Sequence, residues 1–141
     1  MNGLSLKQMT LLYNHADYSV LLLNHMGTVL WANDYACAYL KPLIQNLEGS
    51  TFLELLQQEP RRFEVTNYMA QLLNAERNAF SHEHTFKLDA DNQATLEWRH
   101  SLVEQCRWQQ DETLACLTIG FDITERKNAE RNLTKLASRD P

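Results

Sequence analysis

Thr113-Leu114-Ala115-Cys116-Leu117-Thr118-Ile119-Gly120-Phe121-Asp122-Ile123-Thr124-Glu125-Arg126-Lys127 changes its period partway through. Up to Ile123, apolar residues recur at every second position (Ala115, Leu117, Ile119, Phe121, Ile123), as in a strand with one buried face. That face is expected to be the inward one. From Thr124 to Leu136 the chain is rich in helix formers, opens on a threonine that can cap, and contains neither glycine nor proline. A last strand therefore runs directly into a helix, and the rest of the fold can be read outward from that junction.

Upstream, Leu96, Trp98, His100 and Leu102 alternate with Thr95, Glu97, Arg99 and Ser101, and His84, Phe86 and Leu88 alternate with Glu83, Thr85 and Lys87. Asp89-Ala90-Asp91-Asn92 separates these two strands as a turn, and Gln109-Gln110-Asp111-Glu112 separates the second from the last. Before residue 82 the period is 3.6: after Pro60, Val65, Met69, Leu72 and Leu73 form one stripe of a helix expected over 61–77. Gly49-Ser50 opens a short helix from Thr51 to Leu56, and Asn33-Asp34 caps another that stops before Pro42. Ser19–Asn24 and Thr28–Asn33 flank His25-Met26-Gly27 as a β-hairpin, and Ser5 with Gln8 forms a capping box for an amphipathic helix over about 5–15. This order gives an α+β fold: a five-stranded antiparallel sheet with the middle helices over one face, plus N-terminal and C-terminal linker helices. Leu114, Cys116 and Trp108 make the other face less polar than water favours, and Leu6, Met9, Leu12 and Tyr13 are expected to bury it in a parallel homodimer.

The chain has 141 residues, 44% of them hydrophobic and 22% charged, so one sizeable core is expected. Its net charge of −5 gives no field for a phosphate backbone, so no nucleic acid is expected as partner. The longest apolar run, Val20-Leu21-Leu22-Leu23, is too short to cross a bilayer and no signal-type segment opens the chain, so a cytoplasmic domain is expected. Cys37, Cys106 and Cys116 lack the spacing of a disulfide framework or a zinc site. No GxSxG, HExxH, phosphate loop or carboxylate pair is present, which argues against an enzyme.

Two segments carry a resemblance. Gly27-Thr28-Val29-Leu30-Trp31-Ala32-Asn33 looks like the second strand of PAS sensory domains with its junction asparagine, and Asp122-Ile123-Thr124-Glu125-Arg126-Lys127 resembles the Asp-Ile-Thr signature where the last PAS strand meets the output helix. Leu136-Ala137-Ser138-Arg139-Asp140-Pro141 is similar to the linker that precedes GGDEF diguanylate cyclase domains. The resemblance implies an N-terminal helix in 1–16, a PAS domain at 17–124, and a helical linker at 125–141 leading to an output domain absent from this sequence. It implies a bacterial input module for cyclic-di-GMP signalling, with the input domain of a sensor histidine kinase or a ligand-free dimerisation domain as alternatives. Asn33, Asp122 and Thr124 are the expected structural and signalling residues.

A small apolar ligand would be lined by Trp31, Tyr35, Phe52, Met69, Phe86 and Trp98, with His84 and His100 as a polar pair on adjacent strands. Two histidines lack the third ligand that a metal wants, so no metal is expected. Haem-binding members commonly take a histidine from the long helix, and 61–77 has none. Cysteinyl-flavin members need a cysteine before that helix, and 49–58 has none. The aromatic candidates equally suit an ordinary core.

Overall fold

The structure is a computed structural model, and it describes residues 6–56, 62–74, 76–108 and 111–138. The elements are α1 (Leu6–Tyr13), β1 (Ser19–Leu23), β2 (Val29–Ala32), α2 (Asp34–Tyr39), α3 (Phe52–Leu55), α4 (Arg62–Leu73), β3 (Ala79–Lys87), β4 (Gln93–Trp108), β5 (Asp111–Asp122) and α5 (Thr124–Ser138). All strand pairs are antiparallel, in the order β2-β1-β5-β4-β3. The five-stranded α+β architecture is the expected one. Ser5, the proposed cap of α1, lies outside the described residues.

Each turn of the first hairpin has a local cause. Gly27 adopts φ +78, which a side chain would strain, and the Asn24 side-chain carbonyl accepts from the N–H groups of Met26 and Thr28 at 2.9 and 3.0 Å. Phe52 N–H donates to the Gly27 carbonyl at 2.9 Å and Val29 N–H to that of Ser50 at 2.8 Å, so α3 starts on the edge of β2.

The inner face of the sheet is apolar, and so is the outer face where β1, β2 and β5 lie. Leu21, Leu23, Ala94, Leu96, Trp98 and Cys116 pack under α2, α3 and α4, whereas Val20, Leu22, Trp31 and Ala115 pack with Met9 of α1. The interior strand β1 is accordingly buried at all five positions. This inverts the expected parity of β5. Ala115, Leu117 and Ile119 face α1, and the inner face carries Cys116 and Thr118, aligned with Leu102 and His100. Alternation groups residues by face but does not say which face is inner, and here the inner side of β5 is small because Trp98 and His100 fill the space. Gly120 shows this directly: a Cβ there would lie 2.6 Å from Trp98 Cζ3.

Three further expectations change. The long helix ends at Leu73 rather than 77, beyond which Asn74, Glu76 and Arg77 offer nothing to bury. The next strand starts at Ala79 rather than 82, because Ala79, Phe80 and Ser81 pair with Ser101, His100 and Arg99. Asp111 and Glu112 belong to β5, not to a four-residue turn. The outer face is covered within the chain: Met9 is fully buried and Tyr13 partly buried, while Leu11 and Leu12 are 74% and 63% exposed. Leu12 thus does not share the buried stripe. The side chains of Leu6, Trp108 and Leu114 lie outside the described residues.

Candidate functional site

The junction at Asn33 uses every hydrogen-bonding position of a buried amide. Its Oδ1 accepts from Val20 N–H and Ala36 N–H, both at 3.0 Å, and its Nδ2 donates to the carbonyls of Tyr13 and Tyr18 at 3.0 and 2.9 Å. One side chain therefore caps α2 and fastens it to β1, to the end of α1 and to the loop between them.

On the inner face the turn fixes which residues meet. Lys87 pairs with Gln93 across Asp89–Asn92, so Phe80 opposes His100, His82 opposes Trp98 and His84 opposes Leu96. The imidazole that reaches His100 is consequently His82, diagonal to it, with Nε2 to Nε2 at 2.9 Å. His84 is buried next to Phe86, ring centroids 5.1 Å apart. The expected His84–His100 pair is thus replaced by His82–His100, a partner the sequence reading did not single out although it shares the parity of His84. Phe80 stacks on His100 at 4.5 Å, and Phe52 stands edge-on to Trp98 at 5.2 Å and to His100 at 5.0 Å. His100 Nδ1 lies 2.9 Å from Thr118 Oγ1, and Cys116 Sγ 3.3 Å from the same oxygen.

Burial, reinforced by His82, holds His100 well below the usual imidazole pKa, so the ring is neutral. Burial likewise pushes the Cys116 thiol up to about 12, which removes it as a nucleophile. Among the described residues no group of three or more His, Cys, Asp or Glu is placed to hold a metal ion.

Phe52, Met69, Phe86, Trp98, His84 and His100 all lie on the core side, and of these Phe52 and Met69 also line an open cleft. The cleft, of about 180 Å³, opens between the Met26-Gly27 turn, α3 and α4, and its floor includes Leu56 and Val65. Trp31 and Tyr35 do not join them. Trp31 is an outward residue of β2 and packs with Met9, while Tyr35 lies on α2, stacked on Tyr39 at 5.7 Å.

The second junction is where β5 becomes α5. Asp122 Oδ1 accepts from the N–H and hydroxyl of Thr124, Oδ2 accepts from Tyr39 hydroxyl at 2.7 Å, and Thr124 Oγ1 accepts from Thr95 N–H at 3.0 Å. Partial burial pushes the Asp122 carboxyl up, but its bonds from Thr124 and Tyr39 outweigh this and hold it below the usual carboxylate pKa. Burial and then the bond to Asp122 raise the Tyr39 phenol. Tyr39 was not anticipated, and no local pattern around it signals a contact 83 residues away.

Helix α5 meets the outer face of the sheet through charge. Lys127 pairs with Glu83 at 2.7 Å and Arg126 with Glu97 at 3.6 Å, while Leu133 and Leu136 are 67% and 63% exposed. No helix among the described residues is long and apolar enough to cross a membrane.

The architecture is shared with solved structures. The PAS domain of BvgS from Bordetella pertussis has a TM-score of 0.64 at 18% identity, covering 96% of this chain and 98% of that one. The PAS domain of the Cronobacter turicensis RpfR quorum-sensing receptor, in complex with BDSF, has 0.58 at 16%, covering 80% and 100%. The sensor region of a sensor histidine kinase has 0.56 at 23%, covering 77% and 40%. No curated protein matches in sequence. The family model described as PAS fold matches residues 13–128, a span that includes the Asn33 junction, the ring cluster of the inner face and the Asp122-Ile123-Thr124 joint, and the chain belongs to the PAS-fold family of sensory domains.

Proposed function

We propose that this chain is a noncatalytic sensory and dimerisation module that controls a C-terminal diguanylate cyclase from the cytoplasm. The observation that carries the reading is the Asp122 joint. The last strand, α2 and β4 all bond to the residues from which α5 grows, so a shift of the sheet must reorient the helix. The similarity of 136–141 to cyclase linkers supports the choice of output. The likeness to a histidine kinase sensor region supports a second reading, in which a phospho-acceptor helix rather than a cyclase follows Pro141.

Dimerisation is argued from the helices that leave apolar residues uncovered. On α5 the face turned to its own sheet carries Lys127, whereas Ala129, Leu133 and Leu136 repeat at a 4-3 spacing and are exposed. A second copy presenting the same seam covers both, and Leu11 and Leu12 of α1 are exposed as well. A coiled coil this short depends on the domains at its ends, which suits a switch between states a few kcal/mol apart.

The test is cyclic-di-GMP synthesis by the full-length protein. Asp122→Ala, which opens the joint, and one residue inserted after Lys127, which rotates the helix by about 100°, are both expected to alter activity. Four inserted residues nearly restore the phase and should alter it less. Equal activity in all of them would make the joint a passive tether and overturn the mechanism.

A further inference from the structure

The first and last helices are bonded to opposite ends of the short helix α2. At its start, Asn33 Nδ2 donates to the Tyr13 carbonyl at the end of α1. Beside that bond Asn14 and Asp34 pair reciprocally: Asn14 Nδ2 donates to Asp34 Oδ2 at 3.2 Å, and Asp34 N–H donates to Asn14 Oδ1 at 3.3 Å. Three bonds thus clasp the end of α1 to the start of α2. At the far end, Tyr39 hydroxyl donates to Asp122 Oδ2 at 2.7 Å, and the other oxygen of the same carboxylate accepts from Thr124 N–H at 2.9 Å, where α5 begins. Helix α2 is built to move as one piece. Its six residues rise about 9 Å, Asn33 caps the first turn, and Leu40 N–H closes the last on the Ala36 carbonyl at 2.9 Å. Tyr35 stacks on Tyr39 one turn away, 14° from parallel, which narrows the positions open to the Tyr39 hydroxyl.

We propose that Tyr39 is a positioning residue that couples α1 to α5, through α2 and the Asp122 carboxylate, by a route separate from the sheet. This rests on the reading of the Asp122 joint as the origin of the output helix and adds where an input can enter. The two helices rest on different strands: Met9 of α1 packs with Val20, Leu22, Trp31 and Ala115 of β1, β2 and β5, whereas Lys127 and Arg126 of α5 pair with Glu83 of β3 and Glu97 of β4. A displacement of the end of α1, as by a second copy seated on the exposed Leu11 and Leu12, draws α2 along through Asn14 and Asn33. The Tyr39 hydroxyl then turns the carboxylate. Because a carboxylate is planar, a turn that keeps Oδ2 on Tyr39 carries Oδ1 with it, and Oδ1 holds the first turn of α5. At Tyr39 the route passes through one hydroxyl, so removing a single oxygen atom interrupts it while the ring, its stack on Tyr35 and the helix remain.

The test is a double-mutant cycle read by NMR on the purified chain, in the parent, Asn14→Ala, Tyr39→Phe and the double variant. The probes are the amide resonances of Thr124, bonded to Asp122 Oδ1, and of Lys127, which closes the first turn of α5 on the Ile123 carbonyl at 3.0 Å. Asn14→Ala opens the reciprocal pair with Asp34 and leaves the four bonds of Asn33 in place. It is expected to shift both resonances, and in the Tyr39→Phe background the same substitution is expected to leave them where they are. Native-state resonances report geometry rather than stability, so a Tyr39 that only stabilises the fold would give equal shifts in the two backgrounds. Equal shifts with and without the hydroxyl, or no shift from Asn14→Ala in the parent, overturns the proposal. No cyclase output enters this measurement, so a passive joint in the cyclic-di-GMP assay and a broken relay here are separate failures.

Discussion

Replacing Asn33 with alanine removes a side chain that makes four hydrogen bonds and is fully buried. If Asn33 were only a helix cap, the loss would be about 1 kcal/mol. The structure implies more, because the N–H groups of Val20 and Ala36 and the carbonyls of Tyr13 and Tyr18 all lose a partner at once. At about 1 kcal/mol for each bond lost, and more where water cannot enter, the loss is about 4 kcal/mol. For a domain of this size that lowers Tm by roughly 12–16 °C. Asn33→Asp keeps the acceptor for the two N–H groups but turns the donor into a carboxylate oxygen facing two carbonyls. That variant should be as unstable as the alanine at neutral pH and should regain stability on acidification, since protonation restores one donor and its folded-state pKa must be raised. Thermal and urea unfolding of the three proteins across the acid range is the assay. A Tm for Asn33→Ala within about 2 °C of the parent, or no acid rescue of Asn33→Asp, would refute the four-bond account.

Other consequences are open to measurement. Gly120→Val places carbon where the Trp98 indole lies, so it should cost about 1–3 kcal/mol and shift tryptophan fluorescence, and an unchanged melt would show that the indole moves freely. Tyr39→Phe should lose about 1 kcal/mol and let the Asp122 carboxyl rise toward its usual value, read by carbon NMR titration. The stability that Asp122 contributes is full above the usual carboxylate pKa of about 3.9 and is lost as pH falls through its lowered one, so Asp122→Asn should flatten the acid limb of the stability profile. His100, buried neutral, takes up a proton more readily in the unfolded chain, so stability should begin to fall below about pH 6.5, and His100→Phe should remove that slope. The proposed dimer predicts that the parent pairs in sedimentation and that Leu133→Asp with Leu136→Asp stays a monomer at the same concentration; a parent that is itself a monomer at micromolar concentration and above would refute it.

The strands and helices were legible because their apolar periods are long and their turns carry Gly27, Asn33 and Asp89–Asn92. The face of β5 was not, since Cys116-Leu117-Thr118-Ile119 alternates equally well either way and only the burial of Met9 on the outer layer decides it. The imidazole pair was half legible. The turn fixes the sum of paired positions, from which His82 rather than His84 follows as the neighbour of His100, but only once Lys87 is known to pair with Gln93. Residue type alone places Trp31 in a pocket, but an aromatic on a sheet covered on both sides can belong to either layer. Tyr39 to Asp122 spans almost the whole domain and leaves no local trace.

The middle of the sheet pairs β1 with β5, Ser19 opposite Gly120, so the first strand synthesised is a partner of the last. Val20-Leu21-Leu22-Leu23, buried on both sides in the finished domain, has only β2 to lie against while everything from residue 24 to 115 is being made. Such a non-local closure is slow, since the intervening chain must be drawn in before the pairing stabilises anything. A nascent chain stalled or truncated before β5 therefore presents a bare, strongly apolar strand to whatever else is unfolded nearby. The domain is expected to need the sequence through Asp122 before it becomes protease-resistant, with fragments ending earlier going to aggregates rather than to a smaller stable fold.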